Sequence, residues 1–279
     1  MKSYANAFSF RRALEDRLAA ASRSEGADLQ RLRRQVAFDR LLVRLFADGN
    51  PPWCLKGGYA LELKLSMARS TKDLDLGLSA DALATGDLLE ILQDAASRES
   101  GDFFVFAIGE PVMDLDGAPY GGSRYPVEAN LDGRLFARFH LDVGMGDVQR
   151  EPFEWIEPRD WLEFAGMPSG KFPSISREEH FAQKLHAYTL PRGDRSNTRV
   201  KDLVDLVLLI DAGMPDPERL VRDVRDTFHR RKTHEVPAVL APPPEFWGPV
   251  FAKLAGECGI DTDIGNQFEK VRDYWMSLA

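Results

Sequence analysis

Cysteine is nearly absent: Cys54 and Cys258 are the only two in 279 residues, far apart and without metal-ligand spacing. That excludes a disulfide framework and a thiolate zinc site, and both read as buried thiols of a reducing compartment. Long apolar runs are also missing. No stretch approaches the ~18 apolar residues that a membrane span needs, and Met1 to Phe10 has no apolar core of signal-peptide type. A soluble, cytoplasmic protein without membrane contact is the expectation. A basic excess is lacking too, since the net charge is −8. That argues against a general nucleic-acid coat, which carries positive charge to displace counterions from phosphates. RNA stays open as a substrate, because a local basic patch suffices. Arg192 to Lys201 and Arg222 to Lys232 are candidates, and the other reading of each is a solvated helix face or loop. No internal repeat occurs. What the chain does have is 44% apolar residues, enough to fill a core in one large domain or two smaller ones.

The most informative stretch is Lys56-Gly57-Gly58-Tyr59-Ala60-Leu61, followed by Arg69-Ser70-Thr71-Lys72-Asp73-Leu74-Asp75-Leu76. Asp73 and Asp75 sit two apart in an alternating segment, so on a strand both carboxylates leave one face. Two unpaired acids there repel each other, and a cation would hold them together. Hard oxygen donors at this spacing suit Mg²⁺, which takes one or two protein carboxylates and completes its shell with water and substrate phosphates. Without Cβ atoms, Gly57 and Gly58 let a phosphate approach the backbone, and a helix starting there would aim N–H groups at it. Taken singly, a Gly-Gly pair reads equally as a turn and an Asp-x-Asp as a solvated edge.

Around this stretch the chain reads as alternating elements. Two helices precede Asp48; the second, from Asp28, puts Leu32, Val36, Leu42, Leu45 and Phe46 near one stripe. Arg31, Arg33, Arg34, Arg40 and Arg44 lie largely outside it and read as solvated, with an RNA-facing role as the other reading. Asn50-Pro51-Pro52 ends the helical run. Trp53 to Lys56 reads as a strand, Gly58 to Ser66 as a helix, Lys72 to Leu78 as a strand, and Ser79 to Ser97 as a helix capped by Ser79. Phe103 to Ile108, Pro126 to Leu131 and Arg134 to Val143 read as strands, the last two joined by an Asp132-Gly133 hairpin. On the final strand Asp142 should share a face with His140, and Asp147 lies past two glycines, in a loop. Val148 to Phe172 shows no periodicity and reads as a connection across the sheet edge.

A helical half begins at Ser176, where Ser176-Arg177-Glu178-Glu179 is a capping box. Its helix carries Phe181, Leu185 and Tyr188 on one face, with Lys184 on or beside that stripe. Either the lysine stem covers apolar surface or the charge meets an anion. Asp202 and Asp205 share a face near the start of a helix over 200–210, where acids also complement the dipole. Beyond Asp216 lie helices broken by Ala241-Pro242-Pro243-Pro244, with aromatics that read as packing.

Lys56-Gly57-Gly58-x-Ala60-Leu61, Arg69-x-Thr71-x-Asp73-x-Asp75, Lys184-Leu-His-Ala and Arg199-x-Lys201-Asp202-Leu203-x-Asp205 together resemble the AbiEii/AbiGii toxin family. That family includes the MenT toxins and has the nucleotidyltransferase fold of the DNA polymerase β type. The resemblance implies an α/β (α+β) fold, a mixed sheet flanked by helices with a helical C-terminal half. The expected division is a nucleotidyltransferase domain over 1–172 and a helical domain over 173–279 that lends Lys184 and Asp202 or Asp205 to the site. It implies catalytic roles for Asp73, Asp75, Asp142, Lys184 and one of Asp202 and Asp205, without deciding between the last two. Asp73, Asp75 and, as the third acid that the fold resemblance expects, Asp142 would hold two Mg²⁺ ions, with Asp147 the fallback for Asp142, while Lys56, Gly57, Gly58, Arg69, Ser70, Thr71 and Lys184 would bind a nucleoside triphosphate. The implied activity is that of a toxin extending the 3′ end of tRNA so that aminoacylation fails, with a cognate antitoxin as partner. Nucleotidylation of a protein or small molecule is the alternative, and a non-catalytic nucleotide-binding antitoxin or scaffold another; the presence of all three metal-ligand candidates speaks against the latter.

Overall fold

The computed structural model describes residues 4–49, 51–65, 68–78, 87–115, 117–193, 197–214 and 216–278. The chain opens with α1 (Ala7–Glu25) and α2 (Leu29–Leu45). Each is started by a side-chain oxygen that satisfies a free N–H, Asn6 taking that of Ser9 and Asp28 that of Arg31. Then follow β1 (Trp53–Lys56), α3 (Gly57–Lys64), β2 (Asp73–Leu78), α4 (Leu88–Ala96), β3 (Phe104–Ile108), β4 (Met113–Asp114), β5 (Gly122–Leu131) and β6 (Arg134–Met145). Two short strands, β7 (Glu154–Ile156) and β8 (Phe172–Ser174), precede the helical half of α5 (Arg177–Thr189), α6 (Val200–Ala212), α7 (Pro217–Arg231), α8 (Gly248–Glu257) and α9 (Ile264–Met276).

The sheet is mixed, as expected, in the order β3-β5-β6-β2-β1-β8-β7 with β4 alongside β5. Strand β2 runs parallel to β6 and β1 to β8, and the other pairs are antiparallel. The hairpin at Asp132-Gly133 forms as the sequence indicates, both residues at positive φ (+55° and +66°), which a two-residue turn of type I′ requires. Just beyond it the register shifts: Asn130 pairs with Leu135 but Ala129 with Ala137, leaving Phe136 as an extra residue. Because strand side chains alternate, a one-residue shift reverses the facing of everything past it. Arg124 therefore pairs with Asp142 instead of Leu141.

Buried apolar side chains gather in two clusters. One joins α1 and α2 to the sheet through residues such as Phe10, Leu14, Phe38, Leu41, Leu74 and Leu141. The other fills the helical half around Phe181, Leu206, Trp247 and Phe251 and receives Leu61 from α3 and Leu65 from just past its end. Both cysteines are buried and free, as expected. Among the described residues no helix is long and apolar enough to cross a membrane.

Three expectations need correction. Arg40 and Arg44 are not solvated: both are buried and clamp the fully buried Asp102, whose carboxylate takes Arg40 Nε at 2.6 Å and Arg44 Nη1 and Nη2 at 2.8 and 2.6 Å. Residues 148–172 are not featureless, since they contain β7 and lead into β8, strands of only three residues each and too short to show a period. Helix α4 is capped within the described residues by Asp87, whose side chain accepts from the Leu89 N–H; the proposed cap Ser79 lies outside them, as do Asn50 and Ser66.

The clamp gives a first test. Asp102→Ala strands two buried guanidinium groups without a countercharge, a change that costs on the order of 3–5 kcal/mol. Urea unfolding should show a loss of that size, and a loss below about 1 kcal/mol would mean the arginines find water instead.

Candidate active site

The acids converge through strand register. Parallel pairing of β2 with β6 sets Asp75 opposite Asp142 and Asp73 opposite His140. All three carboxylates line one cleft of about 340 Å³, together with Gly57, Gly58, Arg69, Thr71 and Lys184. His140 shares the face as expected, its Nδ1 lying 3.2 Å from Asp73 Oδ1. Asp75 accepts from the Gly58 N–H at 3.3 Å. Helix α3 starts at Gly57 with φ +67°, and a Cβ there would run into the Asp75 carboxylate, so glycine is required by both backbone and space. Burial, then the neighbouring Asp142, pushes the Asp75 carboxyl up to about 6.

Helices α5 and α6 supply the opposite, cationic wall. Lys184 Nζ lies 3.0 Å from Asp202 Oδ1 and 2.8 Å from Asp205 Oδ2, so its charge meets anions. Arg69 binds Asp205 with both ends of its fork, each at 2.8 Å. Burial works against both cations, but Asp205 foremost outweighs it and raises the pKa of each. Burial likewise opposes the Asp205 charge, yet Lys184 and Arg69 hold that carboxyl down at about 2. Asp202 and Asp205 thus orient Lys184 and Arg69. Of the two, Asp202 lines the cleft and Asp205 stands behind it. The basic loop anticipated near Arg192 brings Arg199 and Lys201 to the rim.

Two expected nucleotide ligands lie elsewhere. The Lys56 ammonium passes beside Gly77 and Gly144 to Asp147, 3.0 Å away, and Arg231 holds the same carboxylate. This also removes Asp147 as a third acid, whereas Asp142 is in place. Ser70 does not line the cleft, although Arg69 and Thr71 on either side do. One site residue was not foreseen: Arg124, whose Nε and Nη2 each lie 2.7 Å from an Asp142 oxygen, with Nη2 3.5 Å from Asp73. The hydrogen bonds to Asp142 are the main cause of its raised pKa.

The donor chemistry fits a hard divalent cation. Among the described residues no three His, Cys, Asp or Glu side chains close around a point as a complete metal cage would. An open row of carboxylates is what Mg²⁺ uses when water and substrate phosphates complete its shell.

A model of the family described as "Nucleotidyl transferase AbiEii toxin, Type IV TA system" matches residues 40–262. The chain belongs to the AbiEii family. It is therefore a nucleotidyltransferase of the toxin–antitoxin kind, and AbiEii membership implies a nucleoside triphosphate as substrate and a cognate antitoxin as partner. Among solved structures, the nucleotidyltransferase toxin MenT4 (Rv2826c) of Mycobacterium tuberculosis H37Rv matches with a TM-score of 0.61 and 16% identity, over 94% of this chain and 89% of that one. At that identity the likeness speaks for the fold. JHP933 from Helicobacter pylori matches with a TM-score of 0.47 and 16% identity over 89% and 92% of the two chains. A putative nucleotidyltransferase from H. pylori matches at 0.45 and 17% identity over 88% and 96%. A search of curated proteins finds no match.

The raised Asp75 carboxyl makes stability depend on pH. Its proton is held more tightly in the folded chain than in the unfolded one, so its stabilising contribution is full below pH about 4 and is lost as pH rises through about 6. In chelator, Asp75→Asn, which cannot ionise, should gain about 2–3 kcal/mol on the wild type between pH 4 and 7.5. Denaturant titrations at several pH values read this directly, and a pH-independent difference would refute the shift.

Proposed function

We propose that this cleft transfers nucleotides from a nucleoside triphosphate to the 3′ end of tRNA in a Mg²⁺-dependent reaction, so that the tRNA can no longer be aminoacylated. The observation that carries the reading is the row of Asp73, Asp75 and Asp142 on adjacent strands, facing Arg69 and Lys184 across a glycine turn. Asp73 and Asp75 would hold the cation that accompanies the triphosphate, and Asp142 would join them in holding a second. Bound there, Mg²⁺ would supply Lewis-acid stabilisation of the entering and leaving oxygens in an in-line displacement at the α-phosphorus.

The remaining work falls to the chain itself. Gly57 and Gly58 keep side chains out of the path of the triphosphate, and a Cβ at Gly58 would stand only 3.0 Å from Thr71 Oγ1. Thr71 adds a hydroxyl. Arg69 and Lys184, already fixed by Asp202 and Asp205, face the negative charge that grows on the departing pyrophosphate, and donors that need no reorganisation are the effective ones. Asp142 accepts the proton of the attacking hydroxyl.

A nucleic-acid acceptor is supported by a second hollow of about 620 Å³ that continues from the cleft, sharing Lys72, Asp73 and Arg124 with it. Arg34, Arg138 and His140 line it as well, and Arg34 Nε is buried there without a hydrogen-bond partner among the described residues. In a chain of net charge −8, such a basic hollow suits a polyanion entering beside the acids.

The test is to incubate the protein with each labelled nucleoside triphosphate, Mg²⁺ and total tRNA, then resolve RNA from protein. Label on tRNA ends is expected, and Asp75→Ala should reduce it by at least about 100-fold. Label on protein alone would replace this reading with protein nucleotidylation. Unchanged transfer by Asp75→Ala would overturn the metal assignment.

A further inference from the structure

Among the described residues, Arg124 is the one cation that reaches directly between the acids. It lies on β5 opposite Asp142, and its guanidinium takes both oxygens of that carboxylate while Nη2 also approaches Asp73 Oδ2. The other oxygen of Asp73 faces His140. A guanidinium that spans Asp142 and Asp73 occupies the position of a cation shared by those two carboxylates. It also lines both the cleft and the basic hollow, so the side chain stands at the passage between them.

We infer that Arg124 is a built-in countercharge for Asp73 and Asp142 that a divalent cation must displace, so that metal loading releases the guanidinium from the acids into the passage between the two cavities. The inference rests on the proposed metal-dependent reading of the cleft. Three observations favour displacement over a fixed structural pair. The site is only partly sealed: the Asp142 side chain keeps 11% exposure, but that of Arg124 keeps 24% and that of Asp73 34%, in contrast to the Arg40–Arg44–Asp102 clamp. A bidentate fork occupies the inward lone pair of each Asp142 oxygen and leaves only the outward ones, so a cation chelated by that carboxylate would have to move the guanidinium. The route out is open as well, since the hollow beyond already borders the side chain. A charge of +1 keeps Asp142 and Asp73 together when the site holds nothing else. Once a doubly charged ion takes over that task, the same guanidinium becomes available to an anionic group in the passage.

Mn²⁺ alone, titrated into the full-length protein and followed by the electron paramagnetic resonance signal of the free ion, tests this without turnover. Removing the competitor should tighten binding: Arg124→Ala by about tenfold, with Arg124→Lys in between, because lysine keeps the charge and loses the fork. Arg124→Gln, which retains bulk and hydrogen bonding, guards against a folding defect and should also tighten binding. A purely structural arginine predicts the opposite, a lower melting temperature with Mn²⁺ binding unchanged or weaker, and that result in a folded Arg124→Ala or Arg124→Gln protein would overturn the inference alone. If neither wild type nor any Arg124 variant binds Mn²⁺ at millimolar concentration, the metal reading of the cleft fails, and this inference with it.

Discussion

Carboxylates set side by side repel one another, and much of this molecule is an arrangement for offsetting that repulsion. Parallel pairing of β2 and β6 forces Asp75 and Asp142 to the same level, and burial together with that neighbour pushes the Asp75 carboxyl up. Relief comes from several directions at once: Arg124 on Asp142 and Asp73, His140 on Asp73, and the Gly58 N–H on Asp75. A site balanced in this way holds its acids together without any further ion, and the proposed divalent cation would have to compete with that balance.

The cationic wall obeys the same rule with the signs reversed. Two positive charges lining one cleft would be costly to bury alone. Asp205 answers both, binding Arg69 with two oxygens and Lys184 with one of them, and Asp202 completes the set. Arg69 belongs to the segment before β2, while Lys184, Asp202 and Asp205 belong to α5 and α6. The buried ion network is therefore also one of the ties between the helical half and the sheet, and it fixes the two cations in place.

What could be read from the sequence was whatever depends on short spacing. The strand–glycine–helix passage at 53–64, the Asp-x-Asp of β2, the capping box at Ser176 and the Asp132-Gly133 turn are local patterns, and each forms as read. Long-range partners were not legible. Arg40 and Arg44 fell outside the apolar stripe of α2 and resembled solvated charges, because Asp102, which claims them, lies about sixty residues on in a loop. Arg124 was hidden for a sharper reason. Counting back from the two-residue turn sets it opposite Leu141 and away from the acids, and only the extra residue at Phe136 turns it inward. Lys56 sits in the glycine motif, yet its charge is drawn away by Asp147, a carboxylate that it shares with Arg231 and that no spacing rule connects to it.

The path of that lysine reaches further than its own ion pair. Its side chain crosses two directly paired glycines, Gly77 on β2 and Gly144 on β6, and a methyl group on Gly144 would lie 2.7 Å from the ammonium nitrogen. On Gly77 it would meet the Gln149 amide at 2.8 Å. A relative that keeps this lysine bridge is then pressed to keep position 144 small, while position 77 answers to Gln149 instead. Selection for one charged residue would thus leave its mark as a conserved glycine on a strand that the lysine itself does not belong to.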